Sequence, residues 1–261
     1  MSVRLVPLVV GDLAVQPATF CPGLSADAAI NAPMVMWWME YQGHRLLFDT
    51  GGTAVPRAHA MGHRHYSRTA AQEPLQRLAA IGAAPGDVET VVLSHLHWDH
   101  AANWSLFAGA TILVQRNEAA YAQSPGPGDW IYFDFRERAA PYVQPDRFTL
   151  IDGPWRPWRD VPAVQVIPLP GHTPGSQGLL IAGPRGPILL AGDTVPLREN
   201  LAREPPTPNG IATDRLILAA TLQRLPREWT VFPSHDPALR KYDGVNVLDE
   251  RFWKGGTFGW N

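Results

Sequence analysis

The six residues His95-Leu96-His97-Trp98-Asp99-His100 place three imidazoles and a carboxylate directly after the apolar run Val91-Val92-Leu93. Imidazole nitrogen and carboxylate oxygen are suitable ligands for Zn²⁺. If the turn is extended, alternate side chains project the same way, so His95 and His97 converge on one ion while Asp99 and His100 turn toward a second. One motif cannot fill two coordination shells, and further ligands are therefore expected at other strand ends. Three candidates each follow an apolar run and open a turn: His172 in Gly171-His172-Thr173-Pro174-Gly175, Asp193 in Leu190-Ala191-Gly192-Asp193, and His235 in Pro233-Ser234-His235-Asp236.

The remaining histidines, His44, His59, His63 and His65, lack that setting. His63-Arg64-His65 repeats the H-x-H spacing but lies in a Gly- and Arg-containing loop with no strand before it. It is expected at the surface or a pocket rim, and replacing His63 is expected to do little. Asp49, in Leu46-Leu47-Phe48-Asp49-Thr50-Gly51-Gly52, either orients a ligand histidine and braces the metal loop or serves as a cap or turn residue. Ser94 and Ser234 are placed to hold neighbouring backbone in the same way.

Rigid elements must aim these groups. Val3–Val10, Met34–Tyr41 and Arg45–Phe48 are apolar, partly β-branched or aromatic runs separated by turn residues, the antiparallel start of a sheet. Glu73 to Gly82 has helical spacing and a glycine stop. Thr90–Leu93 reads as a buried strand, followed by the histidine-rich turn, a helix after Ala101 and a strand at Thr111–Val114. Further strands are expected at Val164–Leu169, Gly178–Ile181, Pro187–Leu190 and Thr230–Phe232, with a helix capped by Thr213 or Asp214 and running to about Leu225. Between them, residues 123–147 are rich in aromatics, among them Trp130, Tyr132, Phe133 and Tyr142, forming either a pocket wall or a connection packed down by its own rings. No low-complexity linker divides the chain. The expectation is one α/β domain over residues 1–261, with helices outside two facing sheets.

Composition narrows the partners. A formal net charge of −2 over 261 residues, with no lysine or arginine run, argues against nucleic acid. No window approaches the roughly 20 apolar residues of a membrane span, and the opening MSVRLVPLVVGD is too short for a secretory core. Cys21 is the only cysteine, so no internal disulfide forms and a reducing, cytoplasmic setting is expected. Phe252-Trp253 and Phe258-Gly259-Trp260 would close a core edge or form an interface, so a homodimer is conceivable.

The H-x-H-x-D-H turn, the Gly-His-Thr-Pro-Gly turn, the Gly-Asp strand end and the Ser-His-Asp end occur in an order that resembles the metallo-β-lactamase-fold hydrolases over essentially the whole chain. The resemblance implies a four-layer αββα sandwich with a dinuclear site. By position, His95, His97 and His172 would hold one metal, Asp99, His100 and His235 the other, and Asp193 would bridge them. True class B β-lactamases commonly have arginine where this chain has His100, which disfavours antibiotic hydrolysis. Within the superfamily the chain looks most similar to N-acyl-homoserine lactonases, through Val114-Gln115-Arg116-Asn117-Glu118, Gly171 to Gln177 and Ser234-His235-Asp236.

Two Zn²⁺ ions, with iron, manganese or cobalt as alternatives, would activate a shared water as hydroxide and polarise an ester carbonyl. Asp99 would carry a proton to the leaving oxygen or sulfur. The expected substrate is a small lactone or related ester, its acyl chain received by Trp98, Trp130, Tyr132 and Phe133 and by walls from Phe20–Pro33 and Trp130–Tyr142. A thioesterase resembling glyoxalase II, an iron-dependent oxidoreductase resembling persulfide dioxygenases and a metal-stabilised binding protein are the alternatives. The chain departs from the lactonase pattern after Asp193: Thr194-Val195-Pro196-Leu197 stands where such enzymes commonly carry a tyrosine directed at the substrate carbonyl.

Overall fold

The computed structural model describes residues 3–25, 27–133, 135–137, 140–141, 144–254 and 257–259, so Tyr142 and Trp260 lie outside the described residues. The first half builds a sheet from β1 (Val3–Val15), β2 (Ile30–Tyr41), β3 (His44–Phe48), β4 (Tyr66–Ser67), β5 (Thr90–Val92), β6 (Thr111–Gln115) and β7 (Thr149–Ile151), in the order β4-β1-β2-β3-β5-β6-β7. The second contributes β8 (Val164–Pro168), β9 (Gln177–Gly183), β10 (Gly186–Leu190) and β11 (Thr230–Phe232), neighbours in that order. The expected four layers are therefore present, for a reason visible strand by strand.

On β2, Val35, Trp37, Met39 and Tyr41 belong to the core between the sheets, together with Leu179, Ile181, Ile188 and Leu190 of the second sheet. The alternate residues Met34, Met36 and Trp38 face the opposite way, against Leu78 of α1 (Pro74–Ala80) and Ala119 and Ala122 of α3 (Arg116–Gln123), with α2 (Trp98–Ala101) between them in sequence. Strands buried on both faces read as unbroken apolar runs rather than alternating ones. Behind the second sheet, Leu189 packs with Leu218 and Leu222, one turn apart on α4 (Arg215–Gln223). Asp214 caps that helix, accepting from the amides of Leu216 and Ile217.

The parallel pairs matter most for function. β3, β5 and β6 pair parallel with Phe48 opposite Val92 and Val92 opposite Leu113, so their carboxyl ends form one edge. β10 and β11 also pair parallel, Leu190 opposite Phe232. Asp49, the 94–100 turn, Asp193 and His235 all leave the core from such ends, where ligand sites of α/β sheets commonly form.

Several elements differ from expectation. β1 runs five residues beyond Val10, because a bulge between Val9 and Gly11 lets the pairing with β2 continue to Val15. The helix expected after Ala101 instead begins at Trp98 inside the ligand motif and ends at Ala101, with a 3₁₀ turn at Trp104–Phe107. Helix α3 was not anticipated, since its polar opening Arg116-Asn117-Glu118 hides a buried face. The carboxyl-terminal aromatics close the core edge: Trp253 and Phe258 are buried between the sheets, and Tyr242 Oη donates to the Gly259 carbonyl at 2.6 Å. No helix among the described residues is long and apolar enough to cross a membrane.

Gly171 sets the approach of α4 to the site. Its φ is +128°, and a Cβ there would lie 2.4 Å from the Leu218 backbone nitrogen. Gly171→Ala is expected to destabilise the fold by about 2 kcal/mol, through combined strain and overpacking, read as a lower urea midpoint; an unchanged midpoint would contradict this packing.

Candidate metal centre

The 94–100 turn leaves β5, and His97 has an extended backbone (φ −66°, ψ 153°) immediately before α2. His95 and His97 therefore come from extended chain, whereas Asp99 and His100 sit on the first turn of a helix and point elsewhere. His172 arrives from the turn between β8 and β9, Asp193 from a 3₁₀ turn after β10, and His235 from the end of β11. All seven candidate ligands come together, and apart from Asp99 they are buried.

Two sets form. In the first, His172 Nε2 lies 3.1 Å from His95 Nε2 and 3.1 Å from His97 Nδ1. In the second, His100 Nε2 lies 3.3 Å from His235 Nε2, and each is 3.6 Å from Asp99 Oδ2. Asp193 faces both: its Oδ1 is 3.2 Å from His100 Nε2 and 3.0 Å from His235 Nε2, while Oδ2 is 3.5 Å from His172 Nε2.

These spacings fit a metal. Tetrahedral ligands at the usual Zn–N and Zn–O lengths are separated by about 3.3 Å, the middle of the observed range. Three ring nitrogens facing one another with their lone pairs inward have no donor among them, and so make little sense as a hydrogen-bond network. They make sense as lone pairs converging on a cation.

At His95, His100 and His235 a partner on the far side of the imidazole fixes which nitrogen faces inward. His100 Nδ1 bonds Asp49 Oδ2 at 2.8 Å, and His235 Nδ1 donates to the Pro33 carbonyl at 3.0 Å. His95 Nδ1 lies 3.0 Å from Ser94 Oγ, which itself donates to Asp49 Oδ2 at 2.8 Å. Asp49 Oδ1 accepts from the Ser94 amide at 2.7 Å, completing a brace that needs the left-handed backbone of Asp49 (φ +64°). Asp49 thus contacts both His100 and Ser94, the contacts an orienting role requires. Ser234 grips a side chain rather than backbone, its Oγ donating to Asp193 Oδ1 at 2.5 Å.

Electrostatics point the same way. Burial, reinforced by neighbouring imidazoles, holds His95 and His97 well below the ordinary histidine range. Burial also lowers His172, though Asp193 opposes it. At His100 and His235 burial again disfavours charge, but the carboxylates, Asp193 foremost, outweigh it and push both upward. For Asp193, burial is overcome by His235 and His100, which hold it well below the usual carboxylate range. The buried carboxylates thus demand compensating positive charge, which a divalent cation supplies in place of protons.

Two supports escaped the sequence reading. Glu118 of α3 is 1% exposed and accepts from the Leu96 amide (2.9 Å), Thr173 Oγ1 (2.6 Å) and the Gly175 amide (3.0 Å). One carboxylate, raised by burial, therefore ties the His95–His97 turn to the His172 turn. Asn209 donates to the Asp193 carbonyl at 2.6 Å and lies 3.4 Å from His172 Nδ1. Nothing local distinguishes either from a surface polar residue; only the packing of α3 and of the 207–211 segment against the loops does.

A cavity of about 250 Å³ opens onto the cluster, with His97, Trp98, Asp99, Tyr132 and Asp193 at its base and Leu13, Val15, Phe20, Ile131 and Ile211 along its walls. Of the expected substrate contacts, Trp98 and Tyr132 line it. Trp130 and Phe133 are not among the described residues that do: Trp130 is 49% exposed, and Phe133 is buried edge-on behind His97, with ring centroids 5.1 Å apart. Among the described residues of the 20–33 segment Phe20 alone contributes, stacked on His235 at 4.9 Å, and the chain from Ile30 onward is committed to β2. His63 does reach the rim, outside the ligand sets.

Residues 34–235 match the metallo-beta-lactamase superfamily. An N-acyl homoserine lactonase of Bacillus sp is 35% identical over 131 residues, 49% of this chain and 47% of that protein. The N-acyl homoserine lactonase AttM of Rhizobium radiobacter is 31% identical over 186 residues, 66% of this chain and 67% of that one. Among solved structures, a quorum-quenching N-acyl homoserine lactone lactonase superposes with a TM-score of 0.74 at 25% identity, covering 94% of this chain and 97% of that one. The dizinc quorum-quenching lactonase AidC shares the fold at 17% identity, with a TM-score of 0.69 over 90% of this chain and 88% of that one.

Asp49→Ala removes the acceptor that orients His100 and the anchor of Ser94. It is expected to weaken zinc binding about 10- to 100-fold, measured by chelator competition; wild-type affinity in the variant would contradict the orienting role.

Proposed function

We propose that this chain, which belongs to the metallo-beta-lactamase superfamily, is a dinuclear metal hydrolase that opens lactone rings, with N-acyl homoserine lactones as the substrate class. The observation that carries this reading is the pair of ligand sets sharing one carboxylate, Asp193, at the base of an apolar cavity. The matched relatives are named as lactonases of that class.

His95, His97, His172 and Asp193 Oδ2 would hold one ion; Asp99 Oδ2, His100, His235 and Asp193 Oδ1 the other. Nitrogen and oxygen donors in four-coordinate sets favour Zn²⁺. When bound, the pair of ions supplies an activated water and a Lewis acid for the ester carbonyl.

The chain's own residues do the rest. Asp99 lines the cavity and is the least buried candidate ligand, its side chain 12% exposed. Its Oδ2 faces His100 and His235, and its other oxygen would take a proton from the attacking water and pass it to the departing ring alkoxide. Leu13, Val15, Phe20, Ile131 and Ile211 exclude water and receive an acyl chain by apolar burial.

A thioester bearing an anionic carrier is the second reading, favoured by Arg64 at the same cavity, which forms no ion pair among the described residues. Replacing Arg64 would discriminate, since it should penalise an anionic thioester and spare a neutral lactone.

Zinc-loaded protein is expected to release acid from N-acyl homoserine lactones, and chelation to abolish it. His97→Ala and Asp193→Ala should each lower metal content and rate by orders of magnitude. Turnover undiminished by metal removal would overturn the mechanism.

A further inference from the structure

The four residues after Asp193 are turned away from the cavity. Thr194 is fully buried and its Oγ1 donates to the Leu169 carbonyl at 3.1 Å, while Val195 and Leu197 pack in the core. No hydroxyl from that segment reaches a substrate.

Tyr132 comes from the opposite wall. Its ring lies against His97, with centroids 5.0 Å apart and an interplanar angle of 27°, and it lines the cavity beside Trp98, Asp99 and Asp193. Among the described residues its hydroxyl has no hydrogen-bond partner, although the ring is packed. A phenol held in place by its ring, with its donor left over, in a cavity that it shares with the candidate ligands His97, Asp99 and Asp193, is available to a ligand.

What holds Tyr132 there is His63 of the second H-x-H pair. His63 stacks on Trp98 of the ligand motif at 4.3 Å and 22°, and its Nε2 bonds the Ile131 carbonyl at 2.7 Å. It thereby clamps the residue before Tyr132 to the residue between His97 and Asp99. The clamp is built from a ring stack and one hydrogen bond, both independent of the ligand sets.

We propose that Tyr132 is a catalytic residue, donating a hydrogen bond from its phenol to the carbonyl oxygen of the bound ester, and that His63 is its positioning residue. The inference rests on the ester-hydrolase reading of the cavity. The proton stays on the phenol throughout; as negative charge grows on the carbonyl oxygen during attack, the hydrogen bond strengthens, and that difference accelerates the step.

The test compares wild type, Tyr132→Phe, His63→Ala and the double variant, zinc-loaded, on N-hexanoyl homoserine lactone and on a 4-nitrophenyl ester. Tyr132→Phe keeps the ring and its stacking on His97 and deletes only the donor. Its kcat is expected to fall about 100-fold, the usual loss for one oxyanion donor, with unchanged zinc content. Contrary to the sequence-based expectation that its loss does little, His63→Ala should lower kcat several-fold because it loses the contacts with Trp98 and Ile131, and in the Tyr132→Phe background it should cost less than about twofold, because the group it positions is gone. A Tyr132→Phe kcat within about threefold of wild type on both substrates would overturn the proposal. Full additivity of the two substitutions would overturn the role of His63. Loss on the nitrophenyl ester with no wild-type activity on the lactone would overturn the lactone reading and uphold the tyrosine.

Discussion

The structure depends on one shared carboxylate. Asp193 is buried, yet its two oxygens face two separate imidazole sets, one drawn from each side of the ligand motif. Burying a carboxylate is costly unless positive charge and hydrogen bonds accompany it. The groups that would gather that charge around a cation come from both sheets at once: His95, His97 and His100 leave the first, His172 and His235 leave the second. The two sheets therefore have to present their ligand-bearing ends at the same edge, and the parallel pairing of β5 with β3 and β6, and of β10 with β11, does this. Fold and centre constrain each other.

Rigidity is added behind the ligands rather than among them. Asp49 holds Ser94 and His100, Glu118 holds the amides of Leu96 and Gly175, and Pro33 holds His235 through its carbonyl. Each contact restricts a tautomer or a loop, not the cavity. This division matters because a metal centre loosened by an ångström loses its reactivity. The cavity wall is assembled from different segments, so its shape can vary while the ligand geometry stays unchanged.

Much of this was legible in the sequence, and what was not has a physical explanation. The ligand turns stand out because buried apolar runs end abruptly in His or Asp, a pattern a structural histidine seldom repeats. Strand positions were readable because both faces of β2 are buried and its run is continuous. Glu118 was not readable as a support, since a carboxylate at the start of a polar helix looks solvated until the helix is docked. The aromatic stretch was ambiguous for a similar reason: Trp130, Tyr132 and Phe133 are chemically alike, and only backbone direction puts Trp130 outward, Phe133 behind His97 and Tyr132 at the cavity. His63 has no strand before it and so does not read as a ligand, and the same loop position is what lets it bridge Trp98 and Ile131.

The central claim is that two cations share Asp193. Metal analysis after zinc loading and removal of free ion tests it most directly, comparing wild type with Asp193→Asn. The account predicts two equivalents of zinc per wild-type chain and a loss of at least one in the variant. A single equivalent in the wild type, or two retained in the variant at unchanged affinity, would contradict a centre organised around that carboxylate.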